Sequence, residues 1–216
     1  EIVKKMIEDK MSHLSIDVFI YEPNSQIKEK LKEERVQLTD ARAMLLFMLY
    51  KLVANGEFVS EFSSEKICYF LQRFGAKEHF KLDYKPNFYG PYSGKVKYVI
   101  NYLNGSYIMG YSSMDKKPFE TLDLVSDGFE KVEGYILSKP ELVEIVNRTE
   151  LFLDGFYSEF ALELLSTVDY ISLNKDTFDL EIIKSELEGW SERKRTLFSN
   201  DRFLNISINH LKEHFG

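Results

Sequence analysis

The pattern closest to a metal-binding motif lies near the end of the sequence, where His210, Glu213 and His214 have the spacing H-x-x-E-H. In zinc proteases of this inverted type, both histidines bind the metal from one face of a helix, and a third ligand follows further along the chain. Only two residues follow His214 in this sequence. We therefore expect a structural helix here and no metal site.

Other residues that could do chemistry are isolated in the sequence. Cys68 is the one cysteine, which excludes an intramolecular disulfide and a cysteine-rich zinc site, and its place on an apolar helical stripe indicates packing. No glycine-rich dinucleotide loop, phosphate-binding loop or G-x-S-x-G nucleophile elbow occurs. We therefore expect no catalytic residue and no cofactor, and we predict that this chain is not an enzyme.

The most specific local feature is the segment Tyr89-Gly90-Pro91-Tyr92-Ser93. Glycine allows the backbone to turn where a Cβ atom would clash, and proline fixes φ at a value that suits the start of a helix. Tyrosine combines a large ring with a polar tip, which is useful at an interface. Two interpretations remain open: a structural turn that begins the next helix, and a recognition element in which Tyr89 and Tyr92 contact a partner.

Charge is unevenly distributed along the sequence. The net charge of −7 argues against a general nucleic-acid binder, because phosphate contacts need an excess of lysine and arginine. Residues 141–190 contain twelve acidic and three basic residues, about −9, whereas the rest of the chain sums to about +2. The same segment contains seven aromatic residues: Phe152, Phe156, Tyr157, Phe160, Tyr170, Phe178 and Trp190.

This acidic segment, residues 141–190, has two interpretations. Either its helices expose a solvated acidic face while the rings lie in the core, or acids and rings together form a surface for a basic partner. In the second case we expect contacts from some of four acids, namely Glu150, Asp154, Glu159 and Asp169. The residues that follow, Arg193 and Lys194, are expected to form with Trp190 a structural corner that ties the last helix to the acidic segment.

Apolar spacing predicts a mainly α-helical, compact multi-helix domain with a small β-wing. Helices are predicted over approximately residues 40–53, 64–74, 92–103, 139–153, 159–171, 180–188 and 203–214. The fourth of these is expected to begin with a capping box formed by Ser138 and Glu141. The wing is predicted to pair residues 107–111 with residues 121–125 across a polar loop.

Residues 1–23 are predicted to form one helix, over 1–13, and one strand, over 16–21. A lone helix and strand cannot bury both faces, so we interpret them as the end of a preceding α/β domain that this chain lacks. The polar segment 24–35 is interpreted as a linker and residues 36–216 as the main domain. Neither a membrane-length apolar run nor a signal peptide is recognisable, so we expect a soluble, cytoplasmic protein of bacterial type.

Five sequence blocks follow one another along the main domain: Tyr69-Phe70-Leu71-Gln72, Tyr89-Gly90-Pro91-Tyr92, residues 103–111, residues 163–168 and residues 190–194. In this order they resemble the C-terminal toxin-binding domain of the DarG antitoxin family, over approximately residues 36–216. The helix and strand predicted within residues 1–23 resemble the end of the macrodomain that precedes this domain in DarG proteins.

The resemblance implies one part of a bipartite antitoxin of the DarT–DarG toxin–antitoxin system. In this family the macrodomain removes ADP-ribose from DNA, and the C-terminal domain binds DarT, which ADP-ribosylates thymidine in single-stranded DNA. The ADP-ribose-binding loops of the macrodomain are absent from this sequence, so the resemblance implies that hydrolase activity is absent too. The expected partner is a DarT-like ADP-ribosyltransferase, and we expect no direct binding of nucleic acid or a membrane.

We expect inhibition by DNA mimicry, in which acids take the positions of phosphates and rings take the positions of bases in the single-stranded DNA site of the toxin. The residues expected to contact the toxin are Tyr89, Tyr92, Glu150, Asp154, Glu159, Asp169, Trp190, Arg193 and Lys194. Allosteric clamping away from that site remains open. The alternative to an antitoxin is a winged-helix module that binds nucleic acid through residues 193–195.

Overall fold

The structure is a computed structural model that describes residues 35–111, 114 and 118–216, together with Lys10. Apart from Lys10, the helix, strand and linker expected over residues 1–34 lie outside the described residues, as does most of the polar loop of the wing. The segment Val36–Gly216 forms a unit of its own, distinct from Glu1–Arg35.

Helices account for most of the described residues. Ten α-helices occur among them: α1 (Asp40–Ala54), α2 (Glu61–Leu71), α3 (Lys77–Phe80), α4 (Val96–Leu103), α5 (Phe129–Leu137), α6 (Pro140–Leu153), α7 (Glu159–Lys175), α8 (Leu180–Trp190), α9 (Glu192–Leu197) and α10 (Asp201–Phe215). Two antiparallel ribbons pair β1 (Lys85–Asn87) with β2 (Gly90–Tyr92), and β3 (Ile108–Met109) with β4 (Asp123–Leu124). The prediction of a mainly α-helical domain with small β elements is confirmed.

Helices α1 and α2 form the centre of the domain. Every residue from Ala43 to Leu49 is buried, because α1 is apolar on nearly all sides and packs against α2, α5 and α6. All eleven residues of α2 are buried as well, including Glu61, Glu65 and Lys66. A central helix with three buried charges requires partners for them inside the protein.

Helix α7 lies against α2, α10 and strand β2. Ser158 caps its start, since the Ser158 hydroxyl accepts a hydrogen bond from the backbone N–H of Ala161. Helix α10 packs against α7. Its His210 ring is stacked with the rings of Phe152 and Phe156, and the ring forms a hydrogen bond of 2.7 Å with the Phe152 carbonyl. His210 therefore has a structural role in this packing.

Three local predictions are wrong. Pro91 lies in β2, opposite Pro86, and the next helix begins only at Val96, so this proline does not start a helix. Helix α2 begins after a capping box of Ser60 and Ser63, three residues earlier than expected. Ser138 does not cap α6, because its hydroxyl donates to the Tyr135 carbonyl at 2.7 Å.

Helix α5 has no counterpart among the predicted helices. Its buried positions are Val132 and Ile136, and Gly134 lies between them. A short helix with two inward apolar residues and an internal glycine gives a weak periodic signal.

Gly90 allows the β1–β2 hairpin to approach α7 closely. Its φ is +92°, a value that side-chain-bearing residues rarely adopt. A Cβ atom at this position would lie 2.7 Å from Thr167 Oγ1 and 3.2 Å from Lys66 Nζ. The hairpin therefore depends on glycine both for its backbone angle and for the space beneath it.

We expect Gly90→Ala to reduce the free energy of unfolding by about 2–4 kcal/mol, because a positive φ is strained and the new methyl group displaces a buried polar contact. Gly105→Ala is the matched control, since its φ is +81° but nothing lies within 4 Å of the added Cβ. The control should cost about 1 kcal/mol, through strain alone. Equal losses in urea unfolding of the two variants would contradict the crowding argument.

Candidate functional site

A buried ion cluster lies directly beneath the β1–β2 hairpin, centred on Glu163 of α7. Both terminal nitrogens of Arg193 donate to the Glu163 carboxylate, and Lys194 Nζ donates to Glu163 Oε1 at 2.5 Å. Lys194 also reaches Thr167 Oγ1 at 3.1 Å and is completely buried. Such charge-assisted contacts compensate for removing the groups from water.

Lys66 of α2 joins this cluster to the hairpin. Its Nζ donates to the backbone carbonyl of Pro91 at 2.7 Å, and the residue is 2% exposed. Burial and the charge of nearby Lys194 together lower the pKa of Lys66 to about 7, although Glu65 and Glu163 act in the opposite direction. The underside of β2 therefore rests on cationic side chains from α2 and α9.

The outer side of the hairpin is held by the residues around the start of α9. The Trp190 Nε1–H donates to the Asn87 carbonyl at 2.8 Å. The Arg193 guanidinium lies 5.0 Å from the centre of the Tyr89 ring and 5.6 Å from that of Phe88, within cation–π range. Arg193 and Lys194 thus tie α9 to Glu163 of the acidic segment, as expected, and Arg193 and Trp190 also anchor the hairpin; the expected tie to the last helix is not among these contacts.

A cavity of about 420 Å³ opens between α2 and the hairpin. Its lining combines acids, aromatic rings and one lysine: Glu61, Phe62, Glu65, Lys66, Asn87, Tyr89, Tyr92, Met114 and Pro118. Phe62, Tyr89 and Phe119 pack together, with ring centres 4.8 Å apart for both pairs that Phe119 makes. The lining of the cavity therefore combines aromatic rings with carboxyl groups.

Two carboxyl groups in the lining have different environments. Glu61 accepts hydrogen bonds from the hydroxyls of Tyr92 and Tyr111, at 3.2 and 2.9 Å. Glu65 accepts from the backbone N–H groups of Ser93 and Gly94 and from the Ser93 hydroxyl, at 3.1–3.3 Å. Burial nevertheless raises the pKa of Glu65 to about 7, because loss of hydration outweighs these bonds.

Asp169, an expected contact residue, lies inside the protein and is 1% exposed. Its carboxylate accepts from the Tyr69 hydroxyl at 2.6 Å and from two nitrogens of Arg73 at 2.8 and 3.0 Å. Burial raises the pKa of Asp169, and Arg73 and Tyr69 oppose the shift. Asp169 and the fully buried Lys194 are therefore corrected from contact residues to internal structural residues.

The other expected contact residues retain exposure to different degrees. Asp154 and Glu159 are exposed, and Glu150 is half-buried with a salt bridge to Lys51 at 2.9 Å. Tyr89, Tyr92, Trp190 and Arg193 are half-buried around the hairpin. The structure thus brings these last four together, and none of the three surface acids forms an ion pair or hydrogen bond with them among the described residues.

The aromatic rings of the acidic segment are buried or half-buried and pack on the hydrophobic core. Those rings therefore do not form an open face with the acids. The most exposed aromatic side chain near the cavity is instead Phe88, at 53%. Sequence analysis did not single out Phe88 as an exposed ring at this site. It also missed the buried charged residues Glu61, Glu65, Lys66 and Glu163. The available signal was three charges within the six residues 61–66 of a helix that is otherwise uncharged.

Two other kinds of functional feature are absent from the described part of the chain. No group of three or more histidine, cysteine, aspartate or glutamate side chains is placed to hold a metal ion there. Among the same residues, no helix combines the length and the apolar character needed to cross a bilayer.

The raised pKa of Glu65 predicts a specific dependence of stability on pH. Between its ordinary value of 4.5 and about 7, the folded protein binds this proton more tightly than the unfolded chain. Stability relative to Glu65→Gln is therefore expected to fall as pH rises from about 4.5 to about 7 and then to level off. Urea unfolding from pH 4 to 9 measures this difference, with exposed Glu130→Gln as the control. A difference that does not change with pH would contradict the assignment.

Comparison with protein-family models gives no match for this chain. Curated relatives do match. A DNA ADP-ribosyl glycohydrolase of Thermus aquaticus is 28% identical over 90% of this chain and 54% of its own length. Proteins of the same name from Mycobacterium bovis and Mycobacterium tuberculosis are 20% identical over 87% of this chain and 56% of their length. The chain spans about half the length of the curated relatives it matches.

These matches correct one prediction. The chain was predicted not to be an enzyme, but the proteins that match 87–90% of it are named as an enzyme, so that prediction is wrong. The matches agree with the resemblance drawn from the five sequence blocks. The chain is related to the DNA ADP-ribosyl glycohydrolases, DarG.

Proposed function

We propose that this chain is the toxin-binding part of a DarG-type antitoxin, which binds and inhibits a DarT-like DNA ADP-ribosyltransferase. Relatedness to DarG and the match to only about half the length of the relatives support a role as one module of a longer bipartite protein. The partner in this proposal is a protein that binds single-stranded DNA and therefore presents a basic groove.

The observation that carries the proposal is the convergence of the resembling blocks at one place. Glu163, Tyr89 and Arg193 come from three separate blocks, and the Arg193 guanidinium contacts both other residues. A fourth block contributes Tyr69, which bonds Asp169 on the same helix as Glu163. Three of the five segments that resemble a toxin-binding domain thus meet at the hairpin and the ion cluster beneath it, and a fourth contacts the same helix α7.

The hairpin has the properties of a protein-binding site. Phe88 is 53% exposed at its tip, and Tyr89 and Arg193 lie directly beside it. Tyrosine, tryptophan and arginine dominate the energetics of protein interfaces, especially when they are held rigidly before binding. Here the ion cluster and the bond from Trp190 to Asn87 hold the hairpin in place.

The charge of the domain supports a basic partner. Of the twelve acids in the acidic segment, two are paired inside the protein and ten keep some exposure, against three bases. Such an excess speeds association with a basic protein and orients it. In this proposal the acids occupy the phosphate positions of the toxin groove. The rings of the hairpin occupy the base positions, because the rings of the acidic segment pack on the core.

We expect saturating single-stranded DNA to compete with this chain for a catalytically inactive DarT-like toxin. Competition follows if both occupy the same groove, and titration calorimetry with and without DNA measures it. The control is the chain mixed with DNA alone at low salt, where we expect no binding. Unchanged affinity for the toxin in the presence of DNA would exclude occupation of the DNA site.

Charge reversal provides a second arm of the same experiment. Asp154→Lys combined with Glu159→Lys is expected to slow association with the toxin several-fold and to weaken its salt dependence. Glu78→Lys combined with Glu130→Lys, two exposed acids outside the acidic segment, is the matched control with the same change of net charge. Equal effects of the two charge reversals would show that only net charge matters.

A second candidate function is hydrolysis of ADP-ribose from DNA, which the name of the relatives favours. The cavity beside the hairpin is the site that fits this activity best, because Glu65 has a pKa of about 7, suited to a general acid at neutral pH. Incubation of the chain with ADP-ribosylated single-stranded DNA tests it. Release of ADP-ribose that is abolished by Glu65→Gln would favour hydrolysis. If no ADP-ribose is released, toxin binding remains the proposed function.

A further inference from the structure

The cavity between α2 and the hairpin has the size of a site for one side chain or small ligand. Its volume of about 420 Å³ lies within the range of ligand pockets, and it is lined by Asn87 and Tyr89, the hairpin residues on either side of Phe88 in sequence. A partner that docks on the hairpin would therefore be close to this cavity. The chemistry of the lining determines which group can enter.

The carboxyl groups that line the cavity can accept further hydrogen bonds. Glu61 and Glu65 lie one helical turn apart, which places them on the same face of α2. Within the described residues, each Glu61 oxygen accepts one hydrogen bond, from Tyr92 or from Tyr111. A carboxylate oxygen has two lone pairs, so each retains one acceptor position. Two parallel acceptors of this kind match the paired N–H donors of a guanidinium group.

The aromatic rings that line the cavity favour binding of a planar cation. Phe62, Tyr89 and Tyr92 line the cavity, and Phe119 packs behind Phe62 and Tyr89. A guanidinium stacks on such rings and still donates in its own plane, which an ammonium cannot do. The lining contains one cation, Lys66, and its ammonium is bonded to the Pro91 carbonyl. Because Lys66 is already bonded to the backbone, the Glu61 carboxylate leaves the cavity complementary to a positive charge.

We propose that this cavity receives an arginine side chain of the partner protein, whose guanidinium bonds Glu61 and stacks on the tyrosine rings. The inference rests on the proposed function, in that the partner is the DarT-like toxin. The proposed function describes the surface only by its acidic charge. The present inference adds a specific pocket and the type of residue that enters it. Buried arginine anchors in such pockets are frequent hot spots of protein interfaces.

The pocket is tested first without the toxin, by NMR titration of the labelled chain with N-acetyl-arginine amide. We expect chemical-shift changes at residues 61–66 and 87–93. The neutral isostere N-acetyl-citrulline amide should give none of them, since it keeps the shape and loses the charge. Equal binding of both amides, or shifts located elsewhere, would overturn the proposal.

Variants then assign the contact to Glu61. Glu61→Gln should weaken binding of the arginine amide about tenfold, equivalent to about 1.4 kcal/mol. Tyr92→Phe, which keeps the ring and removes one hydrogen bond to Glu61, should weaken it less. Glu130→Gln is the matched control, and thermal unfolding checks that each variant is folded. Unchanged binding by folded Glu61→Gln would overturn the proposal.

The same variants with inactive toxin separate this proposal from the proposed function. If the wild-type chain and Glu130→Gln bind the toxin and Glu61→Gln binds about tenfold more weakly, both hold. If all three bind the toxin equally, toxin binding stands and the arginine pocket is wrong. If none binds the toxin while the arginine amide still binds at Glu61, the pocket stands as a guanidinium site and the toxin is the wrong partner.

Discussion

The carboxylate of Glu163 is the group on which the arrangement of the site depends. It is almost completely buried, and two cations from the adjacent turn of α9, Arg193 and Lys194, bind it from two directions. Removal of one member of a buried ion cluster leaves an uncompensated charge, which typically costs about 3–5 kcal/mol. Because Lys194 and Lys66 also lie under β2, the hairpin, α2, α7 and α9 share one electrostatic constraint.

This constraint connects packing to recognition. Gly90 lets the hairpin backbone reach the cluster, and Trp190 and Arg193 bind its outer side. The rings of Phe88 and Tyr89 are thereby presented on a fixed support beside the cavity. A preorganised surface loses little conformational entropy when it binds, so a small hairpin can contribute strongly to affinity.

Elements with local signals were predictable from the sequence. Helix α1 has an unbroken apolar centre and the Thr39 cap, and Ser158 marks the start of α7, so both follow from residues close in the chain. Pro91 gave a misleading signal, because the φ value fixed by proline suits both the first turn of a helix and a residue in an edge strand. Tertiary pairing with Pro86, which sequence does not reveal, decided between the two conformations.

The site was only partly predictable, for a different reason. Tyr89, Tyr92, Trp190 and Arg193 stood out by residue type, but nothing local indicates that Glu163 lies beneath them. Glu163 and Arg193 are thirty residues apart in sequence. The charge of residues 141–190 suggested that all their acids lie on one surface, although Glu163 and Asp169 are buried inside the protein. Burial of a charge depends on long-range partners, and a single sequence does not specify these.

The measurement that tests the central claim most directly is amide hydrogen exchange in Lys194→Met, with exposed Arg195→Met as control. Methionine keeps the length of the buried side chain and removes the charge that binds Glu163 and Thr167. The account predicts that hairpin amides of residues 85–92 exchange about tenfold faster or more, while core amides of α1 and α6 keep their relative protection. Hairpin protection equal to that of Arg195→Met would contradict the claim that the Glu163 cluster holds the recognition surface in place.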